Sequence, residues 1–82
     1  MITVEVTDAQ IAEWRHTGHP YKVVAAEIAE WALKQERGTL VPGNEAFAGE
    51  LPIVPSRSTW QRARVFLRTV GILRGNGPFE VA

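Results

Sequence analysis

Between Pro55 and Gly71 lies a segment whose residue spacing suits an α-helix and little else. At 100° per residue, Trp60, Ala63, Leu67 and Val70 share one stripe, while Arg57, Gln61, Arg64 and Arg68 share another. One stripe can be buried and the other can face a polyanion. A helix of this kind needs a second layer to cover its apolar side, so the rest of the chain must supply that layer.

The formal net charge is zero, yet the charges are segregated. Residues 1–50 carry four cations against eight acids, and residues 51–82 carry five arginines against Glu80 alone. Such asymmetry between halves suits a protein with one phosphate-facing end. Eighty-two residues point to a single small domain. No cysteine is present, so disulfides and thiolate metal sites are excluded. No apolar run approaches the ~18 residues of a membrane span, and Met1–Glu5 has no basic or apolar leader character. A cytoplasmic protein without membrane association is expected.

Ile2, Val4 and Val6 alternate with polar residues and predict a short strand. Thr7-Asp8-Ala9-Gln10 matches a capping box, predicting a helix from about Asp8 to His16 with Ile11 and Trp14 inward. Gly18 and Pro20 end it. The longest helix is expected from Tyr21 to about Glu36, with Tyr21, Val24, Ala25, Ile28, Trp31 and Ala32 on one face and Gly38 as its C′ residue. Thr39–Val41 suggests a three-residue strand, halted by Pro42-Gly43. Asn44 is a good N-cap for a short helix, Glu45 to Leu51, and Pro52–Pro55 is a turn. The two-faced helix then runs from near Ser56 to about Val70, with either Ser56 or Ser58 as its cap. Beyond Gly71, Ile72–Arg74 and Pro78–Val81 flank Gly75-Asn76-Gly77 as a hairpin. Two short helices about a turn, followed by a hairpin, make a winged helix-turn-helix. The expected class is α+β, mostly α, with residues 1–19 as an added strand and helix and residues 20–82 as the winged domain.

At this point the chain resembles the DNA-binding domain of the GntR family of bacterial transcription regulators. Four pieces carry the resemblance, over about Tyr21 to Val81. Pro20-Tyr21 opens a helix that closes on Gly38-Thr39-Leu40-Val41-Pro42-Gly43, similar to G-x-L-x-P-G. Val54-Pro55-Ser56-Arg57-Ser58-Thr59-Trp60-Gln61-Arg62-Ala63 is similar to V-S-R-[ST]-T-V-x-x-A. Leu67 followed by Gly71-Ile72-Leu73 is similar to L-x-x-x-G-[LI]-[LIV]. Gly75-Asn76-Gly77-Pro78-Phe79-Glu80-Val81 is similar to the G-x-G-T-F-V wing. The resemblance implies base and phosphate contacts from Arg57, Ser58, Thr59 and Gln61, and a minor-groove approach by Gly75, Asn76 and Gly77. The chain departs from the family in lacking an Arg in the helix before the turn, where Asn44–Leu51 stands. It also has no counterpart of the family's large C-terminal effector domain, so ligand sensing does not carry over.

The residue chemistry agrees with DNA contact. Arg bonds guanine O6 and N7 bidentately, and Gln bonds adenine N6 and N7. Ser56 and Ser58 at a helix start suit phosphate. Arg57, Ser58 and Gln61 are the expected base readers, with Arg64, Arg68, Arg74 and the wing anchoring phosphates. Arg62 lies off that stripe, and a backbone contact or an acid partner fits it equally well. Trp60 and Thr59 fit packing better than base contact. The same residues also suit a solvated helix face. His16 and His19 have no carboxylate or thiol at ligand spacing, so no metal site is expected. No nucleophile stands beside a base, and no cofactor and no catalysis are expected.

These observations predict a sequence-specific binder of double-stranded DNA from a bacterium, phage or mobile element, a transcriptional repressor in the first instance. Two alternatives remain at this stage: an excisionase-like architectural factor that bends DNA, and a winged helix used for protein–protein binding. A homodimer through residues 1–19, by edge pairing of Ile2–Val6, would place half-sites about 10 bp apart or a multiple of that.

Overall fold

A computed structural model describes residues 6–51 and 54–82. Helix α1, Asp8–Arg15, begins with the expected reciprocal cap. The Thr7 hydroxyl accepts from the Gln10 amide, and the Gln10 side chain accepts from the Thr7 amide at 3.0 Å. The N-terminal strand expected over Ile2–Val6 lies outside the described residues, except for Val6, which packs against the core without strand pairing.

Helix α2 spans Pro20–Ala32, with Pro20 in the first turn, where its missing N–H is not needed. It ends about four residues earlier than the sequence predicts. The buried stripe stops at Ala32, and the Lys34 and Gln35 amides fold back onto Trp31 and Ala32 in three-residue turns. Lys34 and Arg37 therefore fall outside the helix, and Gly38 is not its C′ residue. With φ +88°, Gly38 instead turns the chain toward the hairpin and donates to the Val81 carbonyl at 2.8 Å.

Helix α3 is a single turn, Glu45–Ala48, shorter than the expected Glu45–Leu51. Asn44 does not cap it through its side chain, because that carbonyl oxygen accepts a charged donor from elsewhere in the fold. Phe47 is the buried anchor of this turn. Of the turn expected over Pro52–Pro55, Pro52 and Ile53 lie outside the described residues.

Helix α4 covers Arg57–Thr69 and buries Trp60, Ala63 and Leu67. It packs on α2, where Ala25, Ala26, Ala29 and Ala32 are buried and small. Small residues on both sides of such a contact allow close axial approach. Two aromatic clusters close the ends of this layer. Phe47 lies between Trp31 and Trp60, with ring centroids 5.8 and 6.4 Å away. Phe66 meets Trp14 of α1 edge-on at 5.1 Å and Tyr21 of α2 at 5.7 Å.

Strands β1, Leu73–Gly75, and β2, Phe79–Val81, pair antiparallel in the register Leu73↔Val81, Arg74↔Glu80 and Gly75↔Phe79. The expected third strand is present as a bridge, Leu40↔Glu80, flanked by Val41 N–H donating to Phe79 O and Val81 N–H donating to Thr39 O. Leu73, Phe79 and Val81 turn inward and complete the core. The chain is α+β and mostly helical, and its order of helix, bridge, α3, α4 and hairpin is compatible with a small winged helix. Helix α1 is not peripheral to the core: Ile11 is buried in it, and Arg15 pairs with Glu27 and Glu30 of α2 at 2.6 and 2.7 Å. The Glu30 hydrogen bond leads in holding that guanidinium above its ordinary pKa, against the opposing effect of burial. Among the described residues, no helix is long and apolar enough to cross a membrane.

Candidate nucleic-acid interface

The first turn of α4 decides how its polar face is presented. Ser56 is the N-cap, with extended backbone and a hydroxyl that accepts from the Thr59 amide at 3.3 Å. Its Oγ also lies 3.1 Å from Ser58 Oγ and 2.9 Å from Thr59 Oγ1. The three hydroxyls thus form one local cluster, and Ser58 is left inside the helix rather than capping it. Thr59 is half-buried beside Tyr21 and Arg62. Trp60 is core, as its position on the stripe predicts.

Arg57 and Gln61 are exposed, and neither side chain hydrogen-bonds to the protein among the described residues. With Ser56, Ser58 and Asn44 they rim an open depression floored by Trp60 and Arg64. An Arg, an amide and hydroxyls on one exposed turn can donate to base edges or to phosphate oxygens.

The other arginines of α4 are tied into the fold. Arg62 stands over the Tyr21 ring at 5.2 Å and meets no acid among the described residues. Its guanidinium edge keeps all its donors for an anion while the ring holds its face. Arg64 reaches across to the start of α3. Its Nη2 donates to Asn44 Oδ1 at 2.7 Å and to Pro42 O at 3.2 Å. Its Nε is buried without an acceptor, and burial lowers the pKa of the guanidinium from its usual value. The wheel carried a sign of this placement. Arg64 follows Trp60 by four residues, about 40° away, so its stem runs beside the buried stripe.

Arg68 reaches the wing. Its Nη1 donates to Gly75 O at 3.1 Å and to Asn76 Oδ1 at 2.8 Å, and its Cζ lies 5.8 Å from the Phe79 ring centroid. Arg74 is opposite Glu80 in the register and donates to it at 2.6 Å. That cross-strand pair offsets the hairpin's own arginine. Gly75 has φ +91°, and a Cβ there would stand 2.6 Å from the Pro78 carbonyl oxygen. Only glycine closes this turn without a shift in backbone.

The residues singled out from the sequence therefore fall into three groups. Arg57, Ser58, Gln61 and Arg62 project from α4 toward solvent. Arg64 and Arg68 join α4 to α3 and to the hairpin. Arg74, Gly75 and Asn76 shape the wing. Sequence reasoning missed Asn44 as the acceptor for Arg64 and Tyr21 as the platform for Arg62, since both contacts join residues far apart in the chain. His16 and His19 are both exposed, at the end of α1 and the start of α2. No family model, no curated protein and no solved structure matches this chain.

Proposed function

We propose that this chain binds double-stranded DNA with sequence preference and regulates transcription, as a repressor in the first instance. The observation that carries the proposal is the pair Arg57 and Gln61. Both are exposed on the first two turns of α4 and carry no partner among the described residues. Thirteen residues give α4 a length of about 20 Å and a diameter of about 10–12 Å, matched to a major groove about 12 Å wide. Laid there by its N-terminal half, α4 presents Arg57 and Gln61 to base edges. Ser58 and Arg62 then lie toward the phosphates on one side, and the Arg68-linked wing lies toward the other strand. The motif resemblance to GntR DNA-binding domains supports the same placement.

A second reading has a specific observation in its favour. Arg64, Arg68 and Arg74 each hydrogen-bond within the chain, which leaves fewer free cations than the sequence suggests. A winged helix that binds protein rather than DNA has no need of them. Selection from random duplex oligonucleotides, followed by fluorescence anisotropy over a salt series, separates the two. A DNA binder enriches a motif and loses affinity with a log–log slope of about −0.9 per phosphate contact. Failure to enrich, with no salt-dependent affinity, overturns the DNA proposal.

A further inference from the structure

The polar stripe of α4 runs through Arg57, Gln61 and Arg64, and its third member is turned aside. Arg64 Nη2 crosses to α3 and donates to Asn44 Oδ1 at 2.7 Å and to Pro42 O at 3.2 Å. Asn44 stands where Arg64 withdraws, lining the same depression as Arg57, Ser58 and Gln61. At about 1.5 Å of rise per residue, this place on the stripe lies about 4.5 Å beyond Gln61, near the ~3.4 Å of one base step.

A guanidinium has only donors, so the end of the Asn44 amide that it holds is the carbonyl oxygen. The other end, Nδ2, makes no hydrogen bond among the described residues. It is open to solvent, since the side-chain atom buried without a partner there is Arg64 Nε. The backbone is fixed as well. The Asn44 carbonyl accepts from the Phe47 and Ala48 amides, both at 3.1 Å, and Phe47 is buried in the core. Asn44 therefore offers the depression two N–H donors and no free side-chain acceptor.

We infer that Asn44, oriented by Arg64, is a third base-reading residue of the α4 site and selects guanine over adenine. The inference rests on the DNA-binding reading and deepens it. An asparagine with both ends free pairs with adenine, accepting from N6 and donating to N7. With Oδ1 held by Arg64, that pairing is closed. Guanine presents two acceptors to the major groove, N7 and O6, and donors suit both. Adenine has a 6-amino donor in place of O6, and a second donor opposes it. Phosphate oxygens accept too, but a phosphate contact carries no base preference, so experiment separates the two roles. Arg64 acts through Asn44 and is a positioning residue.

The test selects duplexes from a random pool with the full wild-type chain and, in parallel, with N44D. The variant carboxylate keeps Arg64 as its partner and offers acceptors in place of donors. The expected result is two motifs that agree except at one base pair. The wild-type motif holds guanine there, and the N44D motif holds cytosine or adenine, whose amino groups donate. On the wild-type duplex, changing that G·C to A·T should weaken wild-type binding about 3- to 10-fold, the range of one hydrogen bond gained or lost. Inosine·C keeps N7 and O6 but has the minor groove of A·T, so it should bind as G·C does. R64M frees the amide to turn and should flatten the guanine preference, and R64K, which keeps a charged donor, should restore part of it. Circular dichroism checks that each variant folds, and the base-analogue comparison needs only wild-type protein. Identical motifs from wild type and N44D overturn the inference and leave DNA binding intact. So does a switched position that holds adenine in the wild-type motif, inosine·C binding as weakly as A·T, or an N44D variant that weakens every duplex without a change of preference. Absence of an enriched motif and of salt-dependent duplex binding by wild-type protein removes the DNA reading and this inference together.

Discussion

Arg64 and Asn44, twenty residues apart in the chain, are joined by a 2.7 Å hydrogen bond from the guanidinium Nη2 to the side-chain carbonyl oxygen. The bond fixes the start of α3 against the middle of α4, and so sets the turn between the two helices. It also explains why the one-turn α3 has no side-chain cap: the group suited to capping accepts a charge-assisted bond instead.

The link is only partly satisfied, since Arg64 Nε is buried without an acceptor. Replacing both partners of a buried hydrogen bond with apolar groups is nearly neutral, whereas removing one partner strands the other. Arg64→Met leaves Asn44 Oδ1 and Pro42 O without their donor, and Asn44→Ala leaves Arg64 with Pro42 O alone, so each should lower stability by about 1–3 kcal/mol. The double variant should lose less than the sum of the two. Urea denaturation of all three variants measures the coupling, and strictly additive losses would contradict this account.

Two serines compete for the cap of α4 in the sequence, and Ser56 holds it in the fold. Ser56→Ala should cost about 1 kcal/mol, against a few tenths for Ser58→Ala. Thermal melts of the two variants rank them directly. The reverse order would move the helix start by two residues.

Gly75 closes the wing with φ +91°. Gly75→Ala combines an unfavourable backbone region with a Cβ 2.6 Å from the Pro78 carbonyl, so a loss of about 1–3 kcal/mol is expected. Gly49 has open space and φ −67°, and Gly49→Ala should be neutral or slightly stabilising. Calorimetric melting temperatures for the pair distinguish the two environments.

On DNA, Arg57 and Arg62 should behave differently. Arg57→Ala should relax base preference at one position and cost about 1–3 kcal/mol on the selected site. Arg62→Ala should weaken selected and random duplexes alike, and reduce the salt slope by about 0.9. Anisotropy titrations on both duplexes at several salt concentrations provide the check. Equal losses on the selected and random duplexes for Arg57→Ala would assign that arginine to phosphate instead.

Ile11 is 3% exposed, and Arg15 spans Glu27 and Glu30, so α1 belongs to the folding unit. Ile11→Ala should destabilise the whole domain by about 2–4 kcal/mol in one cooperative transition. A separate early transition would show α1 melting alone. For the same reason, deleting residues 1–19 would unfold the protein as well as remove any dimer surface. Sedimentation of a chain lacking only Met1–Glu5 is the cleaner test of edge pairing, and an unchanged oligomeric state would exclude it.

By itself the sequence determined where chain segments become helix or hairpin and which side of each turns inward. Those features are local. Thr7 and Gln10 lie three residues apart, the stripe of Trp60, Ala63 and Leu67 repeats within one helix, and Gly75 to Gly77 turns the hairpin in place. The lengths of α2 and α3 were less legible, because their ends depend on where burial stops and on Arg64 taking the Asn44 carbonyl. Only the tertiary structure decided which arginines remain free. On the helical wheel Arg57, Arg64 and Arg68 are near equivalents, and their separation comes from partners at Asn44, Gly75 and Asn76. A guanidinium binds whichever acceptor the fold brings within reach, and no periodicity along the chain records what stands opposite.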